Sequence, residues 1–199
     1  MHAATAFLSG LAAAAALAVA VPAAAAPTEP QWFAAAQAAE PAVIASLKDM
    51  VAIESGSTNA AGLAQMADYV ERRLRDVGAR TERIAGAGGR GTMVRGTLTG
   101  TGTKKLMLIA HMDTVYPTGT LASQPYHRDG NKLYGPGIAD DKGGIAVILH
   151  SLAILKDAGW RDYAQLTVVF NQDEEVGSTG SGETVARLAG EHDVVFSCE

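Results

Sequence analysis

One histidine and a set of carboxylates recur at equivalent places along this chain. His111-Met112-Asp113 follows an apolar run at 106–110, and Asp173-Glu174-Glu175 follows another at 166–170. Glu199 follows the run at 194–198, and Asp140-Asp141 opens the helical pattern that begins at Lys142. Neighbouring carboxylates repel one another unless a cation neutralises them, so such a grouping is suited to holding metal. One imidazole, several carboxylates and no thiolate suit a hard or borderline divalent ion such as zinc. Residues i and i+2 of an extended segment share a face, which lets Asp113 turn back onto His111 and fix its tautomer. Asp140 at a helix N-terminus gains about 0.3–1 kcal/mol as an anion, which keeps it ionised and able to bridge two cations. Of the adjacent Glu174 and Glu175, one can ligate metal while the other accepts a proton from activated water and delivers it to a leaving amine. Singly, each piece reads as a strand-end polar residue, a helix cap or a solvated acidic loop; their common position reverses that reading. His127, His150 and His192 have no such setting and are expected to be structural or surface residues.

The elements that must position these groups are legible as periodicities. A helix is expected at 41–53. A second follows the caps Ser57-Thr58-Asn59, with Leu63, Met66, Ala67, Val70 and Leu74 on one stripe and Gly78 closing it. Strands are expected at 92–98 and 105–110 around a Thr/Gly-rich turn, a helix at 142–158, a strand at 166–170, a helix at 182–189 and a strand at 194–198. Strands alternating with helices predict an α/β fold with a mixed, mainly parallel central sheet flanked by helices. In such a sheet the carboxyl ends of the strands converge on the ligand crevice, where all the clusters fall. The formal GxGxxG of Gly86, Gly88 and Gly91 precedes a strand rather than opening a helix, so a nucleotide-binding oxidoreductase is excluded.

Composition bounds the partners and the compartment. The 199 residues suffice for one domain, 48% are hydrophobic, and the formal net charge of -5 offers no case for nucleic acid or an anionic membrane. Arg72, Arg73 and Arg75 read as the solvated face of a helix. The single cysteine, Cys198, cannot form an internal disulfide and is expected as a buried strand residue. Residues 6–26 are almost all Ala, Leu and Val, with no charge before Glu29. Residues 1–26 are therefore expected to be a signal peptide, which makes the protein periplasmic or secreted and free of membrane after its removal.

The segments His111-Met112-Asp113-Thr114-Val115, Tyr134 to Gly144 (YGPGIADDKGG) and Asp173-Glu174-Glu175-Val176-Gly177 resemble the signatures of a co-catalytic zinc metallopeptidase family. That family comprises acetylornithine deacetylase, succinyl-diaminopimelate desuccinylase and carboxypeptidase G, and the wording is most similar to the glutamate carboxypeptidases. The likeness runs from about Pro41 to Glu199 and implies a zinc-exopeptidase-like sandwich. It also implies two zinc ions: His111 and Glu199 on one, Glu175 on the other, Asp140 bridging both. Glu174 would be the general base and then acid, and Asp113 would orient His111. The implied reaction is hydrolysis of a C-terminal peptide or amide bond. An aminoacylase, deacetylase or dipeptidase of the same family is the alternative, with a small peptide or N-acyl amino acid as substrate. A non-catalytic periplasmic binding protein is disfavoured because Glu174 and Asp140 are both present. The resemblance further implies a late zinc-binding histidine and an inserted lid and dimerisation domain, neither of which has a counterpart here. Residues 27–199 are thus expected to be the N-terminal part of a catalytic domain that forms a homodimer when complete. Alone they are expected to hold at most one zinc well and not to turn over substrate.

Overall fold

The computed structural model describes residues 28–199, so the expected signal peptide lies outside the described residues. Helix α1 (Glu29–Val51) begins well before the expected start at Pro41 and holds that proline in its interior. Residues 33–39 are Ala-rich, with strong helix propensity but no apolar period to reveal it. The Gln31 side chain accepts the Thr28 N–H at 2.7 Å and closes the start. Helix α2 (Ala60–Asp76) follows the expected pattern. Asn59 Oδ1 accepts the Gly62 N–H at 3.0 Å, the predicted stripe is buried, and Gly78 ends the helix at φ +91°. Arg73 departs from its expected solvated place. Its guanidinium donates to Ser46 and Tyr69 at 2.8 Å each, tying α2 to α1.

Strands β1 (Arg80–Ala85), β2 (Thr92–Thr99) and β3 (Lys105–His111) come next. A separate hairpin, β4 (His127–Asp129) with β5 (Lys132–Tyr134), precedes helix α3 (Lys142–Asp157). Strand β6 (Gln165–Asn171), helix α4 (Gly182–Ala189) and strand β7 (Val194–Ser197) complete the described chain. The sheet order is β1-β2-β6-β3-β7. The parallel part is β6-β3-β7, while β1 and β2 run antiparallel to their neighbours. Strand β1 was not expected, because Arg80, Glu82 and Arg83 give it no apolar alternation; as an edge strand it needs none. Cys198 lies just past β7 and is half-buried, which corrects its expected place inside a buried strand. β7 is an edge, and Phe196 stands 51% exposed on it.

Alternation along the strands splits the interior into two layers. Val94, Leu166, Val168 and Phe170 face the helices α1, α2 and α3. Met93, Met107 and Val169 face the other way, against Leu188 of α4. Helices on both faces bury the parallel strands and bring their carboxyl ends to one edge, where His111 pairs with Asn171 in register. His150 is buried on α3 with Nε2 2.9 Å from Ser46 Oγ, in the structural role expected of it.

The N-terminus of α3 packs against the end of β7 at Gly144. A Cβ there would collide with the Cys198 carbonyl oxygen and with Asp141 Oδ1. Gly144→Ala should therefore cost about 1–3 kcal/mol of stability, read as a lowered midpoint in urea unfolding. An unchanged midpoint would mean that this contact does not constrain the fold.

Candidate metal centre

Three strand ends and one helix start meet at a single point. His111 Nε2 lies 2.9 Å from Asp140 Oδ1 and 3.9 Å from Glu174 Oε2. His111, Asp140 and Glu199 each offer one ligand atom, and these atoms all lie within 4.8 Å of one another. His111 is 3% exposed at its side chain, whereas Asp140 is 61% and Glu174 42% exposed, so an enclosed imidazole looks out onto open carboxylates. Glu175 stands outside that group of three. With Asp140 it lines a second cavity of about 160 Å³, so Asp140 is shared between two flanks.

The imidazole is fixed from behind, as the i, i+2 spacing predicted. His111 Nδ1 lies 3.2 Å from Asp113 Oδ1. The same Oδ1 accepts the Glu174 N–H at 3.0 Å, and Oδ2 accepts the Glu175 N–H at 3.1 Å and the Ser57 hydroxyl at 2.8 Å. Asp113 therefore anchors both the ring and the turn at Glu174–Val176. Burial raises the Asp113 carboxyl pKa, and the hydrogen bonds from His111 and Ser57 outweigh it, leaving the group below its usual range.

With both ring nitrogens against carboxylate oxygens, Asp113 Oδ1 and Asp140 Oδ1, the surroundings favour the doubly protonated ring of His111. Burial opposes this, but Asp113 and the charge of Asp141 prevail and raise the pKa to about 9. Burial instead pushes Glu175 up, and the nearby Asp140 carboxylate adds to it; its Oε1 is buried without a hydrogen-bond partner. A proton on an imidazole facing carboxylates and an unmatched carboxylate oxygen both mark a place suited to a cation. The donor set, one imidazole nitrogen with carboxylate oxygens, fits zinc.

Two positioning residues escaped the sequence reading. Asp141 caps α3 by accepting the Gly144 N–H at 3.0 Å and also accepts the His111 backbone N–H at 2.9 Å, joining helix to strand. Burial lifts its carboxyl pKa to about 7. Lys142 is 1% exposed, and its ammonium donates to the carbonyls of Ile53 and Pro136 at 3.0 and 3.2 Å. Burial lowers its pKa to about 8 against the pull of Glu54. Both residues stand in the Asp-Asp-Lys run, where helix capping hid their long-range partners.

Residues 107–198 match the model of peptidase family M20/M25/M40. Carboxypeptidase G2 of Pseudomonas sp. (strain RS-16) is 47% identical over 168 residues, 84% of this chain and 40% of that protein. A putative succinyl-diaminopimelate desuccinylase of Mycobacterium tuberculosis is 35% identical over 119 residues, 60% of this chain and 30% of its own. The crystal structure of human carnosine dipeptidase 1 superposes with a TM-score of 0.70 at 19% identity, covering 83% of this chain and 40% of that one, and shares the fold. Over residues 107–198 this chain is similar to peptidase family M20/M25/M40. It spans at most about 40% of the length of these relatives.

The Asp113 geometry makes a sharp demand. Both of its oxygens accept a backbone N–H, so either orientation of an amide sets an NH2 against a donor. Asp113→Asn should cost about 1–3 kcal/mol and speed amide hydrogen exchange at Glu174 and Glu175. Unaltered exchange at those two positions would show that the turn is held by something else.

Proposed function

We propose that this chain supplies most of the active site of a zinc hydrolase that cleaves a C-terminal peptide or amide bond and releases an amino acid such as glutamate. The observation that carries the reading is the convergence of His111, Asp140 and Glu199 beside the open carboxylate of Glu174. The 47% identity to carboxypeptidase G2 favours a glutamate carboxypeptidase. The 35% identity to a putative desuccinylase favours a second reading, removal of an acyl group from an N-acyl amino acid.

In this reading His111, Asp140 and Glu199 would hold zinc, and Glu175, beside Asp140, would contribute to a second ion. Zinc, when bound, supplies Lewis acidity and a water that loses its proton near neutral pH. Glu174 would serve as the proton acceptor and then as the donor to the departing nitrogen, a role that needs a carboxylate beside the ligands without being one. Asp113 keeps the imidazole facing forward and holds Glu174 at the tip of its turn. Asp141 and Lys142 set the helix start from which Asp140 projects. The protein acts in the periplasm or outside the cell after loss of 1–26, and its complete form is a homodimer.

In the complete protein, Glu174→Gln should lower kcat by about 10²–10⁴ while zinc content, measured by atomic absorption, stays at the wild-type level. Full activity in that variant on N-acyl-glutamates and N-acetyl amino acids alike would remove Glu174 as the base. Metal binding also has a proton signature. Because His111 is protonated up to about pH 9 without metal, zinc uptake at neutral pH should release about one proton from the ring. That release should fade above pH 9. Calorimetry in buffers of different ionisation enthalpy reads the number directly, and a value near zero at neutral pH would exclude His111 as a ligand.

A further inference from the structure

The connector between α1 and α2 grips the chain that leaves β3 along its length. The Ser55 carbonyl accepts the Thr114 N–H at 3.0 Å, and the Thr114 carbonyl accepts the Ser57 N–H at 3.2 Å. Gly56 lies so close that a Cβ on it would come within 2.3 Å of the Tyr116 carbonyl oxygen. The far end is held by one side chain. Glu54 Oε1 accepts the N–H groups of Gly119 and Leu121 at 2.8 and 3.0 Å, and Oε2 lies 2.9 Å from the Gly119 nitrogen. Those donors, Leu121 first and Gly119 next, hold the Glu54 carboxyl below its usual range. Pro117, Thr118 and Gly119 are exposed, so packing does not fix this stretch. A carboxylate on backbone N–H groups makes charge-assisted bonds that can. Residues 115–118 thus span the gap between two anchors, both set by the connector.

That span borders the metal centre. Val115 and Tyr116 line the cavity of about 160 Å³ that Asp140 and Glu175 also line. Tyr116 lines a neighbouring cavity of about 340 Å³ as well, whose wall includes Leu133 and the stacked rings of His127 and Tyr134, their centroids 4.6 Å apart. Gly135 and Ile138 are the other residues common to both cavities, so Tyr116 is the aromatic ring at their junction. A substrate held at Asp140 and extending along this flank passes Tyr116. We propose that Glu54 is a positioning residue for substrate binding: it fixes the span 115–118 and so sets Tyr116 against the substrate beside the scissile bond. Glu54 lines neither cavity, so its effect runs through Tyr116. A contact made equally with substrate and transition state lowers KM and leaves kcat alone. The substrate contact rests on the hydrolase reading of the site; the anchoring of the span by Glu54 does not.

The test uses the complete, zinc-loaded protein with Glu54→Ala, Glu54→Gln, Tyr116→Ala and the Glu54→Ala, Tyr116→Ala double variant. Hydrolysis of N-acyl-glutamates and N-acetyl amino acids gives KM and kcat separately. Amide exchange at Gly119 and Leu121 reports the anchor. Calorimetry with N-methylsulfonyl-glutamate, in which a sulfonamide replaces the scissile amide, reads binding without turnover. Glu54→Ala should raise KM at least about tenfold and weaken the sulfonamide to match, with kcat within about twofold and zinc content unchanged. Exchange at the two amides should quicken. Glu54→Gln, which keeps one acceptor oxygen, should fall between wild type and Glu54→Ala. Tyr116→Ala should raise KM similarly, and the double variant should add little to either single change. An unchanged KM in Glu54→Ala, a loss confined to kcat, or additive effects in the double variant would overturn the proposal. A wild-type protein that hydrolyses no N-acyl amino acid would sink the hydrolase reading instead. Calorimetry then decides the proposal alone: sulfonamide binding that Glu54→Ala weakens sustains it, and absent or equal binding overturns it.

Discussion

The Asp113 carboxylate is the constraint on which the rest of the site depends. Two oxygens receive an imidazole N–H, a hydroxyl and two backbone N–H groups, so nearly every lone pair is committed. The side chain is fully buried, and leaving any one donor unmatched there would be costly. One ionised group thus sets the plane of the His111 ring and the path of the turn bearing Glu174 and Glu175. Charge-assisted hydrogen bonds are short and directional, which makes this anchor stiffer than packing alone.

The sheet brings the parts within reach of that anchor. Three parallel strands end at one edge, so residues far apart in the chain become neighbours without any long loop having to hold them. Asp141 then locks the helix start to the strand end by accepting N–H groups from both. A capping residue usually serves its own helix; here the same carboxylate also sets the height of Asp140 against His111. Gly144 permits the close approach of the last strand's exit, which carries Glu199 to the same place.

How much of this was legible in the sequence depends on whether the signal is local. Helix α2 and strands β3 and β6 announce themselves by apolar period, and the position of each acidic cluster after a strand pointed to a common edge. The pairing of His111 with Asp113 followed from their two-residue spacing. The first half of α1 was hidden because alanine favours helix without marking a face. Strand β1 was hidden because an edge strand can be charged along its length. The partners of Asp141 and Lys142 were invisible for another reason: the bonds that matter span 30 and 89 residues. Arg73, read as solvated, turned out to be held between two helices, a fact set by packing and not by its own neighbours in sequence.

Lys142 shows what such long-range locking implies. Its ammonium sits in a cage of two carbonyls, one just past the end of the first helix and one in the loop before the third. With a pKa of about 8, a fair share of this amine is neutral and nucleophilic in mildly alkaline solution. Only its enclosure shields it from electrophiles, so reactivity at this one nitrogen is a clock for the opening of the two loops around it.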